Sequence, residues 1–565
     1  MKNRRRFIAI GVAALLATGA AACSSASSGA GSGSGASSTG QTLVMESSPE
    51  STITQDFNPY ATTQAAYAMG VTGLIYEPLI EFNIASPPSY YPWLATSYTW
   101  GNGGKSLTFA IRQGVKWNNG TPFTPADVVF TYNLLKSNSA LNLNGLTISS
   151  VTSSGNNVTL TFPTAQYANL ENIAGQAILP KAVWSSVGNP TSYTDATPVG
   201  TGPYELDTFT SQGITLKKNP YYWQSASVPK VYFPAYTSNT GALSALFSGT
   251  IDWTGNYIPG LQKSFVDPSP STHHYWEAPG GSNALFPNLN KWPTNQLPVR
   301  QAISDAIDRT LIADEGESGL ESPVLTADGL TLPTYQAWST GSIASQTNSG
   351  SANVSAAETV LKNAGYTKNS SGFFEKGGQV VSLTLTDPAA YTDYAADDSL
   401  IAQELRAAGI DATFDGISTN AWTSDIADGD FQLTLHWGDS GLTPYQLYEN
   451  WLDSTLATGA SANNATGDYE RLDNATVDSE LATLAGAATT SEQATDLVPL
   501  ETYVADNLPV IPTTTSSDWF EYNSDHYSGW PTAADPYESG QPSGSNNSAD
   551  TGTDVVVILR LKPVG

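Results

Sequence analysis

Residues 198–223 read PVGTGPYELDTFTSQGITLKKNPYYW, and this stretch decides the fold. Gly200 and Gly202 allow a backbone path that side chains would block, and Pro203 fixes the exit from the turn. Two short strands of a hairpin are then predicted by the apolar positions Tyr204, Leu206, Phe209, Ile214 and Leu216. No helical pattern follows Gly202, so a phosphate-binding loop is not favoured. The residues alone therefore predict a rigid turn and hairpin with a structural role.

The N-terminus has the features of an export signal. A basic start precedes an apolar run at 7–16, which is too short to span a bilayer comfortably. We predict a signal peptide at 1–22 and a lipoprotein whose acylated first residue is Cys23, the only cysteine in the chain. The alternative is cleavage near an alanine with an incidental cysteine. The run RRRFI at 4–8 also resembles a twin-arginine signal, so the export route stays open.

The tract after Cys23 is nearly all Ser, Gly, Ala and Thr. Such a tract buries little apolar surface, so residues 23–41 are predicted to be a flexible tether. An anchor, a tether and a large domain are the layout of an exported receptor held on the outer face of the cell membrane, on the periplasmic side of the envelope.

The composition is acidic, with 51 Asp and Glu against 23 Lys and Arg and a formal net charge of -28. A nucleic-acid partner is excluded, because phosphate binding requires concentrated Lys and Arg. The acidity is typical of a soluble exported protein and does not by itself imply a cationic ligand.

The body of the chain alternates predicted strands and helices, and its length requires more than one core. Thr124 and Asp127 form a capping box at the start of one helix. Pro298 is predicted to open another, whose buried stripe continues to Leu311.

Further along the chain, Ser355 and Glu358 are predicted to form a second capping box. Between 381 and 414, a strand, a helix that Gly409 stops and a second strand imply a right-handed crossover in a partly parallel sheet. Together these elements predict a mixed α/β architecture in two lobes.

Residues 198–223 resemble the GTGPY…NPxYW signature of the family 5 extracellular solute-binding proteins, the peptide and oligosaccharide receptors of bacterial ABC importers. Six further blocks resemble the family in the right order: GLIYEPLI from Gly73, LTFAIRQGVKWNNGTPFTPADVVFTYNLL from Leu107, ILPKAVW from Ile178, LFSGTIDW from Leu246, VRQAISDAIDR from Val299 and AETVLKNAGY from Ala357. Two positions depart from the pattern: Asn119 stands where Asp is common, and Thr250 where Glu is usual.

The resemblance implies an α/β fold of the two-lobed, type II periplasmic-binding-protein kind, with an extra inserted domain and a ligand cleft between the lobes. Residues 42–76, 198–279 and 513–565 would form lobe I (domain I), residues 77–197 the inserted domain II, and residues 280–512 lobe II (domain III).

Enzyme chemistry finds little support in the sequence. There is no HExxH, no GxSxG and no nucleophilic cysteine. The pair His273-His274 has no acidic residue at metal-ligand spacing, so a surface turn is favoured over a metal site. No cofactor and no metal are predicted. A secreted glycoside hydrolase stays a minor alternative, although no local motif singles out the two carboxylates that it would need.

The candidate ligand contacts lie where the family places cleft residues: Trp253, Tyr257, Gly281, Asn283, Trp422, His436, Trp437, Asp439 and Tyr445. In peptide-binding relatives a WxADY-like motif sets an Asp against the ligand's α-amino group. Here Trp437-Gly438-Asp439 is one residue shorter and Ser440 replaces the Tyr, so Asp439 as an amine anchor stays open.

The sequence as a whole predicts a monomeric, lipid-anchored receptor that performs no chemistry on its ligand. It would capture short peptides by hinge closure and deliver them to a membrane permease that separate ATPase subunits drive. The alternative ligand is a β-linked oligosaccharide of the cello or xylo type, because SGLTPYQLYENWL from Ser440 and VVVILRLKPV at the C-terminus resemble relatives that bind such sugars.

Overall fold

The computed structural model describes residues 41–47, 52–61, 64–438, 440–458, 462–542 and 553–564. The predicted signal peptide, Cys23 and nearly all of the tether lie outside these ranges, and so does Asp439. Residues 40–565 form one compact unit. Within the described ranges, no helix combines the length and the apolar character needed to cross a membrane.

Residues 198–223 contain the predicted hairpin, which lies at one edge of a seven-stranded sheet. Tyr204–Thr210 and Gly213–Lys218 pair antiparallel, whereas Leu43–Glu46 runs parallel to both of its neighbours. The strand order across the sheet is His273–Tyr275, Glu521–Asn523, Trp253–Thr254, Leu43–Glu46, Lys230–Pro234, Gly213–Lys218 and Tyr204–Thr210. This sheet is assembled from three distant parts of the chain.

A five-stranded sheet forms the second centre of the fold. Its strand order is Asp411–Ile417, Ser382–Pro388, Leu433–His436, Ala278–Pro287 and Ile511–Asp518. Ser382–Pro388 and Asp411–Ile417 pair in parallel, and the helix Thr392–Ala407 joins them. The predicted parallel strands with a connecting helix are therefore confirmed, and Gly409 ends the helix with a positive φ of 84°.

Smaller sheets and the helices complete the described structure. A four-stranded sheet has the order Ala95–Gly101, Ser106–Ile111, Asn157–Thr161 and Ser150–Ser154. A three-stranded sheet contains Thr367–Lys368, Phe374–Lys376 and Gln379–Val380. Two further sheets have two strands each: Ile80–Asn83 with Ser89–Pro92, and Tyr527–Ser528 with Lys562–Pro563. The other α-helices are Ala65–Ala68, Pro125–Ser137, Leu170–Ala174, Lys181–Trp184, Asn239–Phe247, Leu297–Ala306, Arg309–Leu311, Val354–Asn363, Thr419–Asp428, Tyr445–Leu452, Ala475–Ala485, Thr490–Asn507 and Thr553–Arg560.

The helix termini test the capping predictions. Thr124 and Asp127 form the capping box as predicted. The second predicted box is wrong, because Asn353 caps Val354–Asn363 by accepting from the N–H of Ala356. The carboxylate of Glu358 instead pairs with two lysines on the surface.

The helix that starts near Pro298 is shorter than predicted. It ends at Ala306, and Asp308 caps a new short helix, so Leu311 is 37% exposed rather than buried. Arg309 explains the break, since its fully buried guanidinium donates to the carbonyl oxygens of Pro512 and Ser304. The bond to Pro512 ties the segment to the strand Ile511–Asp518.

Apolar packing follows the two large sheets. One cluster of buried residues joins the seven-stranded sheet to much of the 74–184 segment and to the helix Thr553–Arg560. Two others cover the five-stranded sheet. The domain boundaries given above stay a prediction.

His273 does not lie in a surface turn as predicted. It is 7% exposed in the edge strand His273–Tyr275, and its ring stacks on Phe265 with centroids 4.4 Å apart.

Candidate ligand-binding site

Three of the predicted contact residues meet at the carboxyl end of the strand Leu433–His436. The ring centroid of His436 lies 5.3 Å from that of Trp422 and 4.1 Å from that of Trp437. Trp422 and His436 are buried, whereas Trp437 is 39% exposed. These three residues are here called the aromatic cluster. The exposed indole of Trp437 rests on the buried rings of Trp422 and His436. Strand ends of this kind are common ligand positions in α/β proteins.

Hydrogen bonds hold the aromatic cluster in place. The indole N–H of Trp422 donates to the hydroxyl of Thr434 at 2.8 Å, and that hydroxyl donates to Asp387 at 2.7 Å. Burial lowers the pKa of His436 to about 4, so its ring is neutral near pH 7. Its Nδ1 lies 2.7 Å from the carbonyl oxygen of Trp437 and donates to it, which fixes the backbone at that residue.

The chain crosses from one large sheet to the other beside this cluster. The carbonyl oxygen of Ser282 accepts from the N–H of Gly438 at 2.9 Å. The pairing of Ala278–Pro287 with Ile511–Asp518 shifts register on both sides of Ser282. Gly281 is buried at this irregularity, and the amide of Asn283 donates to Glu321 at 3.0 Å. The bond between Gly438 and Ser282 thus places the segment that holds Gly281 and Asn283 beside the aromatic cluster.

A set of carboxyl groups that the sequence did not indicate lies between the two large sheets. Glu46, Glu277 and Glu521 belong to the seven-stranded sheet and its flank. Glu317, Glu321, Asp393 and Asp397 come from the other side. These seven residues are here called the carboxyl cluster. The carboxylate of Glu46 accepts from Thr254 at 2.9 Å and from Asn256 at 2.5 Å. Burial raises the pKa of Glu321 to about 8.

Tyr257 joins the two sides. Its hydroxyl donates to the carbonyl oxygen of Gly316 at 2.7 Å and also lies 2.6 Å from the hydroxyl of Ser318. Trp253, in contrast, has no exposed surface and donates to the carbonyl oxygen of Gly540. The indole of Trp253 therefore has no free face for a ligand in this conformation.

Tyr445 lies at a second junction, between the helix Tyr445–Leu452 and the segment around Leu170–Ala174. Its hydroxyl donates to Glu449 at 2.8 Å, and Glu449 also accepts from the amide of Asn172 at 2.6 Å. Beside it, Glu171 accepts from the N–H of Leu442 at 2.8 Å, and burial raises the pKa of Glu171 to about 8. Tyr445 thus holds a contact between two parts of the chain.

One member of the carboxyl cluster could have been found from the sequence. Glu46 is the last residue of the strand LVME, and the carboxyl ends of parallel strands are favoured ligand positions. Glu317 and Glu321 lie in a segment without hydrophobic periodicity, so only the tertiary fold brings them to Glu46.

Comparison with known proteins relates this chain to one family of binding proteins. The family model described as bacterial extracellular solute-binding proteins, family 5, middle part, matches residues 89–459. The nickel-binding periplasmic protein of Escherichia coli K12 is 26% identical over 387 residues, which cover 66% of this chain and 71% of that protein. The oligopeptide-binding protein OppA of Bacillus subtilis is 22% identical over 452 residues, 70% of this chain and 75% of that one.

Solved structures agree on the fold. A periplasmic oligopeptide-binding protein of Thermotoga maritima with bound mannohexaose superimposes with a TM-score of 0.82 at 21% identity, covering 93% of this chain and 99% of that one. AppA of Bacillus subtilis in complex with a nonapeptide gives a TM-score of 0.76 at 18% identity, with coverages of 93% and 99%. The predicted two-lobed α/β fold is confirmed. Since the family model covers well over half of its length, the chain belongs to the family 5 bacterial extracellular solute-binding proteins, which are binding receptors and not enzymes.

Proposed function

We propose that this receptor serves an ABC importer and that its ligands are short peptides. The match of residues 89–459 to the family carries the proposal. Two relatives support the ligand class, since one is an oligopeptide-binding protein and the other a probable peptide-binding protein. Broad tolerance would follow if backbone hydrogen bonds, which all peptides share, supply most of the recognition.

The mechanism we propose is closure of the two lobes around the ligand. The bonds of Tyr257 to Gly316, of Glu171 to Leu442 and of Asn172 to Glu449 join the proposed domains in this conformation. A ligand that contacts both sides shifts the population toward such a closed form. The closed receptor would then dock on a membrane permease driven by ATPase subunits, while an acylated Cys23 keeps the monomer at the membrane.

The contacts we propose are Trp437, supported by His436 and Trp422, together with Gly281, Asn283 and Tyr257. Asp439, outside the described residues, stays a candidate anchor for the ligand's α-amino group. Tyr445 contributes at the second junction.

One observation favours the second ligand class. The exposed indole of Trp437 is a surface on which a sugar face could stack, and the Thermotoga maritima neighbour holds mannohexaose. A β-linked oligosaccharide is therefore the alternative ligand.

Calorimetry of the mature protein with di- to pentapeptides and with cello- and xylo-oligosaccharides tests the assignment. We expect saturable binding of peptides with no turnover. Binding of oligosaccharides alone would overturn the peptide assignment and keep the receptor. Product release from an oligosaccharide would overturn the receptor function itself.

Replacing Trp437 by Ala should weaken binding of the ligand at least ten-fold, on the scale of about 1.5 kcal/mol for a lost aromatic contact. Tyr90→Ala is the matched control, because Tyr90 is 42% exposed and lies on the strand Ser89–Pro92 of the predicted inserted domain. Calorimetric Kd values of both variants check this. Equal Kd values for Trp437→Ala and the unmodified protein would show that the aromatic cluster is not part of the site.

A further inference from the structure

The carboxyl cluster contains seven acidic side chains that face one another across the junction of the two large sheets. The carboxyl of Glu277 interacts with those of Glu521 and Glu321, Glu317 with Glu321 and Asp397, and Glu521 with Glu46. Six members are almost inaccessible to solvent, with exposed fractions of 0% for Glu46, 1% for Glu317, 6% for Glu321, 9% for Asp393, 2% for Asp397 and 0% for Glu521.

No cation of the described chain pairs with this cluster. The described ion pairs of lysine, arginine and histidine go to other carboxylates, most of them on the surface. The donors that do reach the cluster are neutral, such as the amides of Asn256 and Asn283 and the N–H of Ser517. Charge is therefore not balanced within the described residues.

Glu317 is one of the least satisfied members. No N–H or hydroxyl group of the described residues donates to either of its carboxylate oxygens, and the carboxyl group of Asp397 lies against it. One oxygen of Glu46 and one of Glu521 are likewise without a donor from the described residues. A side chain on Gly316 would overlap the carboxylate of Asp397, so this carboxyl reaches the backbone next to Glu317. Unsatisfied acceptors thus converge from both sheets.

Buried carboxylates without a counter-charge are costly, and two things relieve that cost: protons or a bound cation. Burial and mutual repulsion raise the pKa of Glu317 and Glu277, which favours protons when no cation is bound. A metal ion does not fit, because no three acidic or histidine side chains of the described ranges are arranged as metal ligands. An ammonium or guanidinium group carries its charge on several N–H donors, so it suits acceptors that lie apart better than a metal ion does.

We propose that the carboxyl cluster binds the ammonium or guanidinium group of a basic peptide, which makes this receptor selective for lysine- or arginine-containing ligands. The inference rests on the proposed peptide function. Because the carboxyls come from both sheets, a cation held there bonds to both lobes and stabilises their closure. Its binding displaces the protons that the cluster carries when no cation is present.

Isothermal calorimetry with matched tripeptides tests the proposal. Ala-Lys-Ala should bind at least ten-fold more tightly than Ala-norleucine-Ala, whose side chain has the same four carbons but no ammonium group. Titrations at pH 6 in two buffers of different ionisation enthalpy should show release of about one proton with the lysine peptide only. Equal affinities without differential proton release would overturn the inference while leaving peptide capture intact. Binding of oligosaccharides but of neither tripeptide would overturn both.

Glu317→Gln keeps the shape of the side chain and removes its charge. It should reduce the affinity for Ala-Lys-Ala about ten-fold and leave that for Ala-norleucine-Ala unchanged. Glu315→Gln is the matched control, since Glu315 lies two residues away and is exposed. Glu521→Gln repeats the test from the other sheet. A preference for lysine that survives in both Glu317→Gln and Glu521→Gln would show that the cation binds elsewhere.

Discussion

The free energy of unfolding should fall as the pH rises from 5 to 8, by on the order of 5 kcal/mol. Burial raises the pKa of Glu171, Glu321 and Glu501 to about 8, and that of Glu77 and Asp387 to about 7. A carboxyl whose pKa is higher in the folded state binds its proton more tightly there. The stability that it contributes is fully present below the unfolded value, 4.5 for Glu and 3.8 for Asp, and is lost as the pH rises through 7 to 8.

Glu501 offers a clean test of this pH dependence. It is fully buried in the helix Thr490–Asn507, and no described group donates to its carboxylate. Glu501→Gln imitates the protonated form, so it should raise the midpoint of urea unfolding at pH 8 and change it little at pH 5. Asp506→Asn, at an exposed position of the same helix, is the control. Stability that is constant or increases from pH 5 to pH 8 would contradict the prediction.

Local patterns account for the parts of the fold that the sequence predicted correctly. The hairpin after Gly202 and the cap at Thr124 depend on residues that are neighbours along the chain, so their signals are short-range. Leu311 and His273 were placed wrongly because tertiary contacts decide them. Arg309 bonds to a strand some 200 positions away, and Phe265 supplies the stacking partner that takes His273 out of solvent.

The candidate site also has a part that short-range sequence signals predicted and a part that only tertiary contacts define. Trp422, His436 and Trp437 lie within one helix–strand unit, and a strand end is visible in the sequence. The carboxyl cluster was not found, because Glu46, Glu317 and Glu521 come from three distant segments whose register only the folded sheets define. A cluster of like charges also contradicts local expectation, since buried acids are ordinarily predicted to be paired.

Gly200→Ala should destabilise the protein by about 3 kcal/mol or more. A Cβ atom there would lie 2.6 Å from the carbonyl carbon of Ile75 and still closer to its oxygen. These are backbone atoms, so no side-chain rotation relieves the overlap. The same carbonyl accepts from the N–H of Gly202 at 2.9 Å, and the carbonyl oxygen of Gly200 accepts from Asn118 at 2.9 Å. Moving the segment 200–202 away from Ile75 to make room would disrupt these bonds.

Gly188→Ala separates this close approach from the general cost of replacing glycine. Gly188 is exposed, and a Cβ there would meet nothing within 4 Å. Urea unfolding of the two variants should show a large loss for Gly200→Ala and almost none for Gly188→Ala. Gly202→Ala should resemble Gly200→Ala, because its Cβ would lie 2.8 Å from the oxygen of Ile75. If Gly200→Ala were as stable as Gly188→Ala, the glycines of the opening stretch would not be required for backbone contact. The hairpin would then be held by its strand pairing with Lys230–Pro234 alone.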